Sequence, residues 1–334
     1  MSTKIQDKNI LFISPEFFGI EKSIIHAMEK LGAKVTWFDE RSIRSSVSRA
    51  VNSVSPRVFN NYSDKYYETI IEKCDSDIDA VLIVKGEMVS EKTIQRIRNK
   101  WKNAEVILYL WDPVRNIKGI LPKTKLYDRI ISFEPGDCKK YGFEFRALFC
   151  DIENKDKGNS DTKKKYDVCF YGTMYADRFS IVYNMEQFCK NNNLKFYKFC
   201  FLRGKFMAFY YWFTNAGFRK LGNKAISYKS KSSVEIAQII NQSKVILDAN
   251  DPYQQGLTLR TIETMALGRK MITTNKDIVN YDFYNPNNIC VIERDSVTIP
   301  LKFFDKKYET LDQEIIKKYT AEGWVIDVFK ESKI

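Results

Sequence analysis

Residues 251–275, which read DPYQQGLTLRTIETMALGRKMITTN, combine a loop that ends in glycine with the start of a helix. Gly256 allows a ligand to approach the backbone closely. A helix that begins near Leu257 presents unpaired N–H groups and the positive end of its dipole, and phosphate is the natural occupant of such a place. The hydroxyl of Thr258 and the guanidinium of Arg260 add further donors. This stretch therefore predicts a phosphate-binding site.

Glu263 lies further along the same helix, in line with the apolar residues Leu259, Ile262 and Ala266. A buried carboxylate without partners is costly, so this side chain must meet a partner or reach a cleft. Its distance from the helix start places it to accept two hydroxyl groups of a ribose whose phosphate is bound there. The alternative is a surface ion pair with Arg260, three residues earlier.

Short apolar runs alternate with segments of helical period along most of the chain, which is typical of parallel sheets covered by helices on both faces. Residues 151–166 interrupt this alternation, because they are highly charged and have no apolar period. We therefore predict two α/β domains, over 1–155 and 166–310, followed by a C-terminal segment, 311–334, with a helix over 311–331. The predicted strands are 9–14, 33–39, 79–86, 104–112, 129–135, 145–149, 166–172, 194–201, 244–250, 270–274 and 288–292.

The segment FYGTMYADR, residues 170–178, closes the first predicted strand of the second domain. Ligands of open parallel sheets bind beyond the carboxyl ends of the strands, so Gly172 and Thr173 are expected to face the same site as Gly256. Arg178 is close enough in sequence to reach a phosphate there. The alternative is an ordinary turn from strand to helix with a surface arginine.

Two acidic residues, Glu87 and Asp112, stand at the carboxyl ends of predicted strands in the first domain. A parallel sheet directs both toward the cleft between the domains, where a general base or a carboxylate that stabilises an oxocarbenium-like centre must sit. The alternatives are structural. Asp112 would cap the turn before Pro113, and Glu87 would begin the entry into the next helix.

Composition limits the possible partners and compartments. The chain has 334 residues with 54 Lys+Arg against 42 Asp+Glu, and the resulting charge of +12 favours an anionic partner. The seven cysteines are scattered without a CxxC motif, which is typical of reduced thiols in the cytoplasm. The single histidine, His26, excludes histidine-rich metal sites. No apolar run approaches the ~18 residues of a membrane span, so we expect a soluble protein or one that lies on a membrane.

Residues 187–234 contain no acidic residue but ten Lys or Arg and thirteen aromatic residues, including FMAFYYWF at 206–213. This mixture suits contact with anionic lipid, since rings sit at headgroup level while lysine and arginine meet phosphates. Two alternatives stay open: a buried helix with a basic rim, and a surface that binds single-stranded nucleic acid by stacking.

The segments LDANDPYQQGLTLRTIE and ITTNKDIVNYDFYNPNN resemble the donor site of GT-B glycosyltransferases, most of all bacterial enzymes of lipopolysaccharide and capsule biosynthesis. The resemblance implies two Rossmann-like domains whose parallel sheets face a central cleft, with a C-terminal helix that crosses back onto the first domain. It also implies that Glu263 holds the donor ribose and that the backbone at Gly256, Leu257 and Thr258 meets the diphosphate. Many retaining members have a glutamate where this chain has Gln255, and an amide at that position leaves a sugar contact possible.

The resemblance further implies an enzyme that moves a sugar from a nucleotide-sugar to a surface polysaccharide or a lipid-linked saccharide. Gly172, Thr173, Arg178, Gln255 and Arg260 would complete the donor site, and Asp112 and Glu87 would be the catalytic residues. We expect no metal, no other cofactor and no nucleic-acid partner, and a cytoplasmic chain peripheral to the inner face of the membrane. The loop Phe17–Phe18–Gly19 is a candidate wall for the acceptor. The alternatives are a non-catalytic protein that binds nucleotides or nucleic acids, and a sugar-nucleotide epimerase of GT-B shape.

Overall fold

The alternation of strands and helices builds two separate parallel sheets, as predicted. A computed structural model describes residues 4–17, 19–41, 57–74, 77–150 and 164–330, with the backbone alone for 57–62 and 233. The chain divides into unit 1, which comprises Met1–Phe149 and Lys317–Ile334, and unit 2, which comprises Cys150–Ile316. Most of the charged segment 151–166 lies outside the described residues.

Unit 1 contains a six-stranded sheet in the order β2-β1-β3-β4-β5-β6, with every pair parallel. Its central strands are buried along nearly their whole length because apolar clusters cover both faces of the sheet. The strands are β1 (Asn9–Ser14), β2 (Lys34–Asp39), β3 (Ala80–Val84), β4 (Glu105–Leu110), β5 (Arg129–Ser132) and β6 (Glu144–Phe145). The helices are α1 (Ile20–Lys30), α2 (Arg57–Lys73), α3 (Glu91–Lys100) and α4 (Pro135–Tyr141), with 3-10 turns at Val114–Asn116 and Leu121–Leu126.

Two helix boundaries of unit 1 follow from local chemistry. The hydroxyl of Ser90 accepts the N–H of Thr93 at 3.1 Å and so caps the start of α3. Gly32, with a φ of 92°, turns the chain out of α1 in a conformation that other residues rarely adopt. His26 lies exposed on α1.

Unit 2 contains a second six-stranded parallel sheet in the order β9-β8-β7-β10-β11-β12. Numbered within the unit, this is the order 3-2-1-4-5-6 of dinucleotide-binding sheets, and the order reverses between β7 and β10. The strands are β7 (Tyr166–Thr173), β8 (Phe196–Phe201), β9 (Ile226–Ser227), β10 (Ser243–Asp248), β11 (Lys270–Thr273) and β12 (Ile289–Val291). The helices are α5 (Arg178–Asn191), α6 (Lys205–Thr214), α7 (Ala216–Leu221), α8 (Ser233–Asn241), α9 (Leu259–Ala266) and α10 (Lys302–Asp305), with 3-10 turns at Asn223–Ala225 and Lys276–Asn280.

The C-terminal segment forms two helices, α11 (Gln313–Lys318) and α12 (Ala321–Val328), where the sequence predicted one helix over 311–331. Thr320 separates them, because its hydroxyl accepts the N–H of Gly323 at 3.1 Å and starts a new helix. α12 packs within unit 1. Trp324 is fully buried there, with its ring centroid 4.7 Å from that of Tyr109 and 5.2 Å from that of Phe149.

The strand predicted over 145–149 is shorter than expected, since only Glu144–Phe145 pairs with β5. Beyond it, the carbonyl of Arg146 accepts a hydrogen bond from the Tyr109 hydroxyl at 3.0 Å, which draws this backbone group toward a side chain. Among the helices that the structure describes, none has the length and apolar character needed to cross a bilayer.

Candidate functional site

The sheet of unit 2 brings two predicted segments together at the point where its strand order reverses. β7 and β10 are neighbouring parallel strands, and their carboxyl ends are Thr173 and Asp248. The loops that follow therefore leave the same edge of the sheet. This is where open α/β sheets bind their ligands.

Asp248 organises the start of α9. Its carboxylate is fully buried and accepts the hydroxyl of Thr261 at 2.7 Å, while Arg260 Nη1 lies 3.3 Å from it. The helix begins at Leu259, two residues later than predicted, because Thr258 is its N-cap and its hydroxyl accepts the N–H of Thr261 at 3.3 Å. Asp248 was not predicted as a site residue, although an aspartate at the end of an apolar strand was a signal for it.

Arg260 turns back from α9 onto the end of β7. Its guanidinium carbon lies 4.7 Å from the centroid of the Tyr171 ring, a cation–π contact. A Cβ atom on Gly172 would lie 2.7 Å from Arg260 Nη2, so a larger residue there would displace the guanidinium group from its present position. Burial lowers the pKa of Arg260, but the neighbouring Tyr171 and Asp248 outweigh it and raise the pKa above its ordinary value.

Arg178 is the first residue of α5 and only 7% exposed, so it is not the surface arginine of the alternative interpretation. Its Nη1 donates to the carbonyl of Thr173 at 2.9 Å, and its guanidinium carbon lies 4.1 Å from the ring centroid of Tyr175. Burial and the positive charge of Arg260 both lower the pKa of Arg178. Two guanidinium groups thus lie close enough to repel each other.

The Nε atoms of Arg178 and Arg260 are buried and have no hydrogen-bond partner among the residues that the structure describes. Buried donors are normally satisfied, and an unsatisfied one in a folded protein calls for a specific explanation. Two arginines whose Nε donors are buried, each in the first turn of a helix, form a site suited to an anion.

Glu263 is half-buried on α9, one turn beyond Arg260. Burial has the largest effect on both neighbours, since it lowers the pKa of Arg260 and raises that of Tyr171. The negative charge of Glu263 has a smaller effect and raises the pKa of both. The ion pair of Arg260 is with Asp248, whereas the surface interpretation paired it with Glu263.

Gln255 is exposed on the rim of a cavity of about 640 Å³ within unit 2. Polar side chains form much of its lining, among them Asn250, Thr274, Asn275 and Arg294. The loop that carries Gln255 is held by its backbone, since Asn275 Nδ2 donates to the Gln255 carbonyl at 2.8 Å and Gln254 Nε2 donates to the Gly256 carbonyl at 2.7 Å. Gly256 and Leu257 are themselves buried.

Arg294, which the sequence analysis missed, joins the two loops of the site. It donates to both carboxylate oxygens of Asp177, with Nε at 2.6 Å and Nη2 at 2.8 Å. Its Nη1 also donates to Asn250 Oδ1 at 2.8 Å. Arg294 therefore fixes the N-cap residue of α5 against the loop after β10.

The two candidate catalytic residues of unit 1 lie close together. Lys85 Nζ is 2.9 Å from Glu87 Oε2 and 3.5 Å from Asp112 Oδ2, so one lysine bridges the carboxyl ends of β3 and β4. Lys85 has a φ of 74°, which is a strained conformation for a residue other than glycine. Such strained residues cluster at functional sites. Phe17 is exposed, and its ring centroid lies 5.8 Å from that of Trp111, whereas Phe18 is outside the described residues.

A buried carboxyl group lies near this lysine. Glu40 Oε1 accepts the N–H of Met88 at 2.9 Å, and burial raises the pKa of Glu40 to about 7 although this bond, Lys85 and Lys123 oppose the rise. Lys123 donates to the carbonyls of Gly86 at 2.6 Å and Val89 at 2.8 Å. Burial lowers the pKa of Lys123 to about 8.

No group of three or more His, Cys, Asp or Glu side chains in the described part of the chain is arranged to hold a metal ion. No protein-family model matches the chain, and no curated protein matches its sequence.

Solved structures do match it. A glycosyltransferase from Rickettsia africae is 16% identical with a TM-score of 0.55, over 97% of this chain and 94% of that one. The apo form of the lipopolysaccharide outer core galactosyltransferase WaaB is 11% identical with a TM-score of 0.56, over 96% and 98% of the two chains. The UDP-GlcNAc 2-epimerase from Methanocaldococcus jannaschii is 11% identical with a TM-score of 0.54, over 95% and 98%. The chain therefore has the GT-B fold, which confirms the predicted fold class.

Proposed function

We propose that this chain is a glycosyltransferase that uses a nucleotide-sugar donor. The observation that carries the proposal is the pair of arginines Arg178 and Arg260, whose buried Nε donors have no partner among the described residues. They lie at the reversal point of a sheet with dinucleotide-binding strand order. A diphosphate is an anion that would satisfy both donors and relieve the repulsion between the two cations.

The other residues of the donor site follow from this placement. The first-turn N–H groups of α9 and the backbone at Gly256, Leu257 and Thr258 would meet the diphosphate, while the hydroxyl of Thr258 caps the helix. Glu263 would accept the ribose hydroxyls. Gln255 would contact the sugar from the rim of the cavity, and Gly172 and Thr173 would hold the two arginines in place.

In the proposed reaction, a carboxylate of the Glu87–Asp112 pair takes the proton of an acceptor hydroxyl. The acceptor oxygen then forms a bond to C1 of the donor sugar. The bond from C1 to the phosphate oxygen breaks, and the nucleoside diphosphate leaves with its electron pair. Arg178 and Arg260 would stabilise the charge that develops on this leaving group, so the reaction requires no metal ion.

The acceptor class we propose is a surface polysaccharide or a lipid-linked saccharide of lipopolysaccharide or capsule biosynthesis. The resemblance of residues 243–292 to enzymes of that kind supports it, and so does the similarity to WaaB over nearly the whole chain.

Calorimetric titration of the purified protein with UDP, GDP, ADP, CMP and dTDP tests the donor site. We expect one nucleotide to bind. Arg178→Gln and Arg260→Gln should each lower the affinity for that nucleotide at least about 10-fold, because each variant removes charge-assisted hydrogen bonds. Glu263→Ala should lower the affinity for a nucleoside diphosphate but not the affinity for inorganic pyrophosphate, which has no ribose. Arg203→Gln, an exposed arginine of unit 2, is the matched control. Equal affinity of the wild type and both arginine variants would contradict the proposed site.

The similarity to an epimerase defines the competing activity. Incubation of the bound nucleotide-sugar without any acceptor separates the two. A glycosyltransferase returns the donor unchanged or slowly hydrolysed, whereas an epimerase converts it to the isomeric nucleotide-sugar. Binding without turnover under any acceptor would indicate a non-catalytic nucleotide-binding protein. Transfer that is unchanged by EDTA would support the metal-independent reaction.

A further inference from the structure

Helix α6 presents an aromatic stripe to solvent. Phe206, Phe209, Tyr210 and Phe213 are 80%, 65%, 51% and 67% exposed. Their spacing of i, i+3, i+4 and i+7 places them on one face of the helix, where a surface helix normally meets its core. The core contacts come from another face, through Met207, Ala208 and Tyr211. The helix therefore has a second apolar face.

The stripe is held in a fixed position. Arg219 Nη1 donates to the carbonyls of Trp212 at 2.8 Å and Phe213 at 3.2 Å, which ties α7 to the last turn of α6. α7 in turn lies directly against α5, since a Cβ on Gly217 would lie 2.7 Å from the backbone nitrogen of Ser180.

Positive charge surrounds the stripe. Arg203 and Lys205 stand at the start of α6, and Arg219 and Lys220 are exposed on α7. Residues 187–234 contain no acidic side chain that would offset them. Rings in one row with cations beside them are the pattern of a helix that lies in the headgroup region of a bilayer.

We propose that α6 and α7 dock the protein on an anionic lipid bilayer. The exposed rings enter the headgroup region, and the flanking lysines and arginines meet lipid phosphates. A second copy of the chain would bring the same positive charge against itself, which disfavours self-association through this face. Phe209 and Phe213 pack edge to face at 5.0 Å and 68°, so these two rings do not present parallel faces on which successive nucleic-acid bases could stack.

The docking element lies beside the arginine pair. β7 and β8 are neighbouring parallel strands, so the loop that leads into α6 leaves the same edge of the sheet as the loop that carries Tyr175. Asn215, at the junction of α6 and α7, contacts the loop that carries Tyr175, since its Nδ2 donates to the Ala176 carbonyl at 2.7 Å. Docking through α6 therefore places the arginine site near the lipid surface. The docking itself does not depend on the proposed function. Delivery of a lipid-linked acceptor to the arginine site does rest on it.

Flotation of the full chain with vesicles tests the inference. We expect the wild type to float with vesicles of phosphatidylcholine and phosphatidylglycerol, and less with phosphatidylcholine alone. The triple variant Phe206→Ser, Phe209→Ser, Phe213→Ser should lower the partition coefficient at least about 10-fold, because it removes the apolar contact. The matched control exchanges three exposed apolar residues elsewhere: Val234→Ser, Leu301→Ser and Ile326→Ser. It should float like the wild type.

Tryptophan emission gives a second reading. Trp212 is exposed on α6, while the other four tryptophans are buried or half-buried. Anionic vesicles should shift the emission to the blue, added salt should reverse the shift, and Trp212→Phe should abolish it.

Several outcomes would overturn the inference: no flotation of the wild type, or equal flotation of the triple variant. A wild-type dimer that the triple substitution separates in sedimentation velocity would assign the face to self-association. Loss of oligonucleotide binding in the triple variant, without vesicle binding in the wild type, would assign it to nucleic acid. Nucleotide affinity is measured in parallel, so that failure of docking and failure of the donor site are told apart.

Discussion

At the scale of single residues, Glu40 makes the stability of unit 1 depend on pH. Burial raises its pKa from 4.5 to about 7, so the folded state holds this proton more tightly than the unfolded state. The stabilising contribution is complete below pH 4.5 and is lost as the pH rises through 7. It amounts to at most about 3 kcal/mol at 1.36 kcal/mol per pKa unit. Glu40→Gln should remove the pH dependence of the free energy of unfolding that this carboxyl group causes between pH 4.5 and about 7.

Denaturant unfolding at several pH values checks this, with tryptophan fluorescence as the probe, because four of the five tryptophans lie in unit 1. Glu29→Gln, an exposed glutamate on α1, is the control and should keep the slope of the wild type. A slope that persists in the Glu40 variant would show that another group is responsible.

Several candidate site residues could be assigned to one edge of the sheet from the sequence, because a simple rule locates them. Gly172, Thr173 and Arg178 follow a strand, Arg260 follows a helix start, and parallel strands end at one edge. Asp248 escaped notice because the direction of the last side chain of a strand depends on the pleat. Arg294 could not be found, since its partner Asp177 is far away in sequence and nothing local marks the pair.

At the scale of elements, the close contact of α7 with α5 depends on Gly217. A Cβ there would overlap Ser180 Oγ and lie 2.7 Å from the Ser180 backbone nitrogen, which cannot rotate away. Gly217→Ala should therefore destabilise unit 2 by about 1–3 kcal/mol through overpacking. Amide hydrogen exchange in β7 and β10 at increasing denaturant concentration reports on this unit, since both strands belong to unit 2.

Gly204 provides the matched control, because in the described part of the chain no atom other than those of its sequence neighbours lies within 4 Å of the Cβ that an alanine would add there. Gly204→Ala should change stability by no more than about 0.5 kcal/mol. Equal effects of the two substitutions would mean that the contact between α5 and α7 yields more easily than its geometry indicates.

The helices also show where sequence patterns fail. Every strand except the two-residue β9 could be predicted at least in part, because continuous apolar runs between helices are typical of buried parallel strands. α6 is apolar on nearly every side, so its period does not reveal which face packs. The break at Thr320 between α11 and α12 was missed for a related reason, since a threonine within a helical pattern fits an interior position as well as a cap.

At the scale of the whole molecule, each unit has its own apolar core. Trp324 on α12 fills the core of unit 1 against Tyr109 and Phe149. Trp324→Ala should cost about 3–5 kcal/mol. We expect amide hydrogen exchange to accelerate in β1, β3 and β4 while the strands of unit 2 keep their protection.

Ile326→Ala is the control, because Ile326 is half exposed on the same helix and should leave exchange nearly unchanged. Accelerated exchange in β7 and β10 of the tryptophan variant would show that the two cores unfold together. Retained nucleotide affinity in that variant would agree with a donor site carried by unit 2 alone.

The position of α12 in the sequence has a consequence for synthesis. The chain leaves unit 1 at Phe149, forms all of unit 2, and returns to unit 1 at Lys317. On the ribosome, the residues of unit 2 emerge before Trp324 is synthesised, so the core of unit 1 stays incomplete until α12 follows. A translation product that stops early would expose the apolar groove that α12 fills, and proteases could recognise it as incomplete.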